Sequence, residues 1–208
     1  MQPAGSSPSP TWPRRLLPVL LVLLAALAVL GVLWARSLAS APVFRGTTYD
    51  PPAPAPGFGL TDHTGTSRTL NDFVGRPIFL FFGYTHCPDV CPLTLARLSE
   101  ALREAGVAPG DAHILLVTVD PQRDSPEVLA RYIEPFGPYV TALTGSAAQL
   151  APIYPAYGVH AGDSEHASEV MHTTAVFGID SGGMLRAIIR ADDSREALVA
   201  DVETLLTL

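Results

Sequence analysis

The stretch PIFLFFGYTHCPDVCPLTLARL, Pro77 to Leu98, decides how this chain folds. Its first six residues are a continuous apolar run, as in a strand covered on both faces. Gly83 ends the run. Beyond it Leu93, Leu95, Leu98 and Leu102 recur among polar residues, as on a helix that stops near Gly106. The chain's two cysteines, Cys87 and Cys91, sit at the handover from strand to helix, spaced C-x-x-x-C.

The same alternation continues outward from this stretch. HILLVTV (His113 to Val119) is a second buried strand. Ser125 caps a helix whose first position is Pro126, with Glu127 in its first turn. Tyr139 to Leu143 is a short strand, and Ser146 to Tyr157 a helix broken by prolines. TTAVFGI (Thr173 to Ile179), the turn Asp180-Ser181-Gly182-Gly183 and Met184 to Arg190 form a hairpin, and Ser194 to Leu206 closes the chain as an amphipathic helix. Upstream, GFGLTDHTGTSRTL reads as a pair of short strands turning at Asp62-His63-Thr64-Gly65. The order predicts an α/β fold: a thioredoxin-like three-layer sandwich with a mixed central sheet.

The N-terminal quarter is different. A tail, residues 1–15, precedes residues 16–35, of which 16–34 are uncharged and almost wholly apolar. At ~1.5 Å per residue such a helix approaches the ~30 Å of bilayer hydrocarbon. It predicts a retained transmembrane anchor, longer than the roughly 7–15 apolar residues of a signal peptide. The small residues Ala39, Ser40 and Ala41 offer the competing cleavage reading. Arg14 and Arg15 before the span and Arg36 and Arg45 after it barely fix orientation. The short tail favours an internal N-terminus and an extracytoplasmic domain. Residues 36–56, ending in DPPAPAP, read as a proline-rich spacer, and 57–208 as the folded domain.

Three of the 13 arginines (Arg14, Arg15, Arg36) precede Pro42, all 20 carboxylates follow it and there is no lysine, so the domain carries a formal charge of −10. The lack of lysine argues strongly against P-loop chemistry and excludes a lysine Schiff base, and the acidic charge makes nucleic acid a poor partner.

Two thiols at a strand-to-helix junction suit a metal or a redox couple. A spacing of four predicts both side chains on one helical face, with both sulfurs accessible and readily ionised. That separation serves convergence on one ion or closure of a redox-active Cys87–Cys91 disulfide after a modest adjustment. A histidine ligand would favour metal. His113 reads as packing at a strand start, His63 as a solvated turn residue, and His160 and His166 as members of an exposed loop. His86 adjoins Cys87, but adjacent side chains diverge. His172 directly precedes the strand TTAVFGI. If that strand runs antiparallel beside PIFLFF, His172 reaches the cysteines from 85 residues away. Two thiolates and one imidazole form a soft three-donor set that fits copper best.

The motifs FFGYTHCPDVCPLTL, VTVDPQRDSPEVLARY and MHTTAVFGID, in that order, resemble the Sco/SenC copper proteins that serve cytochrome c oxidase assembly. The resemblance spans about Gly57 to Leu208. It implies a membrane-anchored, thioredoxin-like domain facing the periplasm, with Cu(I) or Cu(II) on Cys87, Cys91 and His172. Its implied partner is cytochrome c oxidase subunit II, whose binuclear site would receive copper, have its cysteines reduced, or both. Other copper chaperones or thioredoxin-like reductases are implied as further partners. Asp120, at the end of the second buried strand, reads equally as a support for the metal site or as a cap before Pro121. Met171 stands where the family often has an acidic residue, which would orient the imidazole.

Two other functions compete. A general extracytoplasmic thiol–disulfide oxidoreductase would need both cysteines but not His172, although C-x-x-C is the usual spacing for that chemistry. A peroxidase of the peroxiredoxin kind would, by resemblance, want Thr or Ser three residues before the reactive cysteine. Tyr84 and Pro88 occupy those positions.

Overall fold

The computed structural model describes residues 16–38, 43–159 and 175–208, in two compact units, Met1–Ala41 and Pro42–Leu208. The first unit contains α1 (Leu16–Leu38), a 23-residue helix. Its described side chains, 18–34, are all exposed and cover about 25 Å at ~1.5 Å per residue. Among the described residues no helix is long and apolar enough to cross a membrane.

The second unit is built on an eight-stranded mixed sheet. Its strands are β1 (Thr47–Pro54), β2 (Gly59–Asp62), β3 (Ser67–Thr69), β4 (Ile78–Gly83), β5 (His113–Thr118), β6 (Val140–Thr144), β7 (Ala175–Ile179) and β8 (Met184–Arg190), in the spatial order β1-β8-β7-β4-β5-β6-β2-β3. The helices of this unit are α2 (Val90–Glu104), α3 (Pro126–Ile133), α4 (Ala147–Leu150), α5 (Ile153–Ala156) and α6 (Arg195–Leu206). The alternation read from the sequence is present, and the helix expected at Ser146 to Tyr157 is split into α4 and α5 around Pro152.

Central strand β4 is wholly buried, with parallel β5 on one side and antiparallel β7 on the other. Its side chains alternate between two apolar layers, as the period of two requires. Phe79 and Phe81 join Leu95, Leu98, Leu102, Leu129, Val202 and Leu205 beneath α2, α3 and α6. Ile78, Leu80 and Phe82 join Phe73, Leu150, Ile153, Tyr157 and Phe177 on the other face. This is the expected three-layer arrangement.

The proline-rich segment departs from expectation. Its second half is not a spacer but edge strand β1, antiparallel to β8, with Thr47 opposite Ile188 and, after a bulge, Pro54 opposite Met184. An edge strand leaves half of its N–H groups unneeded, which is why it accommodates prolines that a central strand would reject. The chain just before it is also pinned. Phe44 is buried, and the buried Asp201 carboxylate of α6 accepts from the Arg45 N–H (2.6 Å) and the Gly46 N–H (3.2 Å). A Cβ at Gly46 would lie 2.2 Å from the Ile188 carbonyl oxygen, so only glycine allows this approach.

A chain cut to begin at Gly57, the boundary that composition alone suggests, loses β1 and the burial of Phe44. Against a chain beginning at Pro42 it should melt at least about 5 °C lower and self-associate through the uncovered edge of β8. Thermal denaturation and size-exclusion chromatography compare the two. Equal melting temperatures would contradict the structural role of β1.

Candidate metal centre

Strand β4 delivers the chain to Gly83, and a six-residue loop, Tyr84 to Asp89, leads into α2. Gly83 is demanded by packing. A Cβ there would meet Phe81 Cε1 at 2.8 Å, Cys91 Sγ at 3.0 Å and Leu116 Cδ1 at 3.1 Å. The Cys91 sulfur therefore lies against the backbone at the strand's end.

The two cysteines are not equivalent, and neither is placed as the spacing suggests. Cys87 lies in the loop and is half-buried, while Cys91 occupies the second position of α2 and is buried. They do not share a helical face, because the helix begins only at Val90. Their four-residue spacing instead lets the Cys91 N–H donate to Cys87 Sγ at 3.3 Å. The sulfur thereby takes one of the unpaired donors of the helix start, where Asp89 makes no side-chain cap. Neither Pro88 nor Pro92 is the first helical residue. Both cysteines are free thiols.

The expectation of two readily ionised, accessible sulfurs fails for Cys91. Burial first, and then its hydrogen bond with Cys87, push its thiol well above the ordinary range. Desolvation disfavours the charged sulfur, so without a metal Cys91 stays protonated at neutral pH. Binding a metal there must release that proton.

One residue holds the loop to the sheet, and its role is not evident from the sequence. Asp124 is fully buried. Its carboxylate accepts from the Thr85 hydroxyl at 2.6 Å, the Thr85 N–H at 3.2 Å and the Thr118 hydroxyl at 2.5 Å. Thr85 belongs to the cysteine loop and Thr118 to the end of β5, so Asp124 ties two neighbouring strand ends together. The available signal was Thr118 itself, a hydroxyl closing an otherwise apolar strand, which needs a buried partner.

Asp120, read as either a metal-site support or a cap, closes the loop that presents Asp124. Its backbone carbonyl accepts from the Arg123 and Asp124 N–H groups, and its carboxylate pairs with Arg123. Tyr84 flanks the sulfurs, and burial followed by Cys87 and Cys91 raises its phenol above the usual range.

The histidines separate clearly. His113 opens β5 opposite Ile78, at the other end of the strand from the cysteine loop, and packs edge-on against Phe73 with ring centroids 5.2 Å apart. His63 is half-buried, not solvated as expected, and its Nδ1 is buried without a partner among the described residues. His86 is exposed, with Nδ1 3.1 Å from the Thr85 hydroxyl. His160, His166, Met171 and His172 lie outside the described residues. Among the described residues no group of three His, Cys, Asp or Glu could hold a metal ion. The condition set for His172 is nonetheless met. Strand β7 runs antiparallel to β4 with Val176 opposite Phe81, so its beginning lies beside the end of β4.

Asp124→Ala strips three donors of their acceptor and should cost about 3 kcal/mol in chemical denaturation, with faster alkylation of Cys91 as the loop loosens. Gly83→Ala should cost about 1–3 kcal/mol by overpacking and also raise Cys91 reactivity. Unchanged reactivity in both variants would mean that neither contact seats the sulfur.

A family model described as SCO1/SenC matches residues 47–207, beginning at the first residue of β1. Among similar proteins, the bovine (Bos taurus) "Protein SCO2 homolog, mitochondrial" is 38% identical over 133 residues, 61% of this chain and 50% of that protein. The human "Protein SCO1 homolog, mitochondrial" is 36% identical over 105 residues, 50% of this chain and 35% of that protein. The matches thus span about half the length of these relatives or less. Among solved structures, Bradyrhizobium japonicum ScoI with copper bound superposes with a TM-score of 0.62 at 30% identity, over 74% of this chain and 100% of that one. Apo Sco1 from Thermus thermophilus gives 0.65 at 33% identity, over 79% and 98%. With its fold matched by copper-loaded and apo relatives and the family pattern covering most of its length, the chain belongs to the SCO1/SenC family.

Proposed function

We propose that this protein binds copper through Cys87, Cys91 and His172 and serves cytochrome c oxidase assembly. It would pass the metal to the binuclear site of subunit II, reduce that site's cysteines, or do both. The observation that carries this reading is the register of β7 on β4. Ala175 opens β7 at the end of the sheet where the cysteine loop emerges, and His172 precedes Ala175 by three residues in the sequence. The donor set fits the cargo. Two free thiols and an imidazole form a soft group with a position left open, which suits Cu(I) and, with an added oxygen ligand, Cu(II).

The asymmetry of the sulfurs suits transfer. Cys91, seated against Gly83 and desolvated, holds its end of the site in place. Half-exposed Cys87 is the one a partner's thiol or metal ligand can reach. The same asymmetry favours the second reading, thiol–disulfide exchange, in which Cys87 attacks and Cys91 resolves.

The membrane anchor belongs to the same proposal. Its support is the sequence: residues 16–34 are uncharged and almost wholly apolar, and a helix of that length, at ~1.5 Å per residue, would approach the ~30 Å of bilayer hydrocarbon. The acidic domain would then stand on the extracytoplasmic side, where thiol redox chemistry is sustained.

Titrating reduced Pro42–Leu208 with Cu(I) against a competing chelator should give one copper per chain. Cys87→Ala or Cys91→Ala should abolish stoichiometric binding, and His172→Ala should weaken it by about tenfold or more, the loss of one good donor. Full affinity without the imidazole would remove His172 from the site. A reduced chain that takes up no copper, yet exchanges disulfides with a peptide carrying a paired-cysteine motif, would transfer the assignment to the second reading.

A further inference from the structure

His86, immediately ahead of Cys87, is exposed, and its Nδ1 lies 3.1 Å from the Thr85 hydroxyl oxygen. Which of these two atoms donates is decided one bond further in. The Thr85 hydroxyl has a single proton, and that proton goes to the Asp124 carboxylate at 2.6 Å. Asp124 is fully buried and also accepts from the Thr85 N–H and the Thr118 hydroxyl, so it acts only as an acceptor. The Thr85 oxygen is left to accept from His86. Nδ1 therefore carries the ring proton and Nε2 the lone pair. Among the described residues the imidazole makes no other hydrogen bond.

This is the support that metal-binding histidines have: one ring N–H donated inward to an anchored acceptor, the other nitrogen free to bind. The two other described histidines have no such bond. His113 packs its ring against Phe73, and the Nδ1 of His63 is buried without a partner. Holding an exposed side chain in one rotamer costs entropy, and here the restraint runs through Thr85 to a carboxylate in the interior. The imidazole also stands at one end of a gradient. His86 is exposed, Cys87 half-buried and Cys91 buried.

We propose that His86 is a further copper-binding residue, a transit ligand at the mouth of the site whose Nε2 carries Cu(I) between a partner's metal ligand and Cys87. The proposal rests on the copper reading above. Imidazole suits copper, and a neutral ring gives its electron pair without losing a proton. On entry the bond from copper to the partner's ligand breaks as the bond to Nε2 forms, and that bond breaks in turn as the bond to the Cys87 sulfur forms. Copper keeps its oxidation state throughout. Because His86 is outside the resting set of Cys87, Cys91 and His172, it lowers the barrier in both directions and leaves the equilibrium unchanged. Thr85 and Asp124 are positioning residues that fix which nitrogen is free.

The test uses the full chain, reduced and kept in mild detergent at pH 8, where imidazoles are neutral. Long-range proton–nitrogen correlation spectra of the metal-free protein should show His86 protonated at Nδ1. Stopped-flow mixing with a Cu(I)–chelator complex then compares the parent with His86→Ala. Uptake by the variant, and release from it to excess chelator, should both slow about tenfold, with equilibrium affinity and melting temperature as in the parent. Thr85→Val removes the acceptor and keeps the ring, so it should slow both rates and lose the Nδ1–H tautomer, and Thr85→Ser should restore both. Unchanged rates in His86→Ala would overturn the proposal and leave the copper reading intact. A fall in affinity as large as the fall in uptake rate would also overturn it, by making His86 a ligand of the resting site. So would a proton on Nε2 in the parent. A parent chain that takes up no copper would overturn it together with the reading it rests on.

Discussion

The site depends on a buried carboxylate. Asp124 lies on the loop after β5, and its hydrogen bonds reach the cysteine loop through Thr85 and the strand end through Thr118. A loop at a strand's C-terminal end carries backbone groups that the sheet no longer satisfies, and such loops drift unless a side chain holds them. Asp124 supplies that restraint from the neighbouring connection. The geometry at the sulfurs is therefore set by tertiary contact between two crossovers, not by the cysteine loop alone. A charge so placed is acceptable only because its acceptor sites meet donors.

With the loop fixed, the sulfurs take different parts. The Cys91 sulfur is pressed against Gly83, and desolvation keeps its thiol neutral. Cys87 remains half-exposed, and its sulfur accepts the Cys91 N–H at the helix start. One sulfur is an interior anchor and the other a point of entry. This division fits a carrier that must hold a soft metal and later give it up to a partner approaching from outside. It fits a dithiol that attacks with one sulfur and resolves with the other equally well.

The sheet that presents the site is longer than its motif requires. Strand β1 closes one edge, held by β8 and by the Asp201 carboxylate. The second half of the proline-rich segment is thus part of the domain's sheet, where composition suggests a spacer. Strands β2 and β3 cover the opposite side beyond β6. Edges capped by short or proline-bearing strands resist pairing with other chains.

The fold class was legible because its signals are local. The continuous apolar run Ile78 to Phe82 reads as a two-sided strand, Ser125-Pro126-Glu127 as a helix start, and the Gly182-Gly183 turn as a hairpin connection. The two cysteines were legible for the same reason, as a spaced pair at a junction. Three things were not. DPPAPAP reads as spacer by composition, and only the presence of β8 beside it makes it a strand. The four-residue spacing of Cys87 and Cys91 does not say where the helix begins, so one sulfur ended inside and one outside. Asp124 looks like an ordinary polar residue of a loop, yet its burial between Thr85 and Thr118 gives it its role. Sequence determined which elements form and which atoms can bind a soft metal, because propensity and donor chemistry belong to single residues. Tertiary structure alone decided which groups lose their water, and desolvation is what holds the Cys91 thiol neutral.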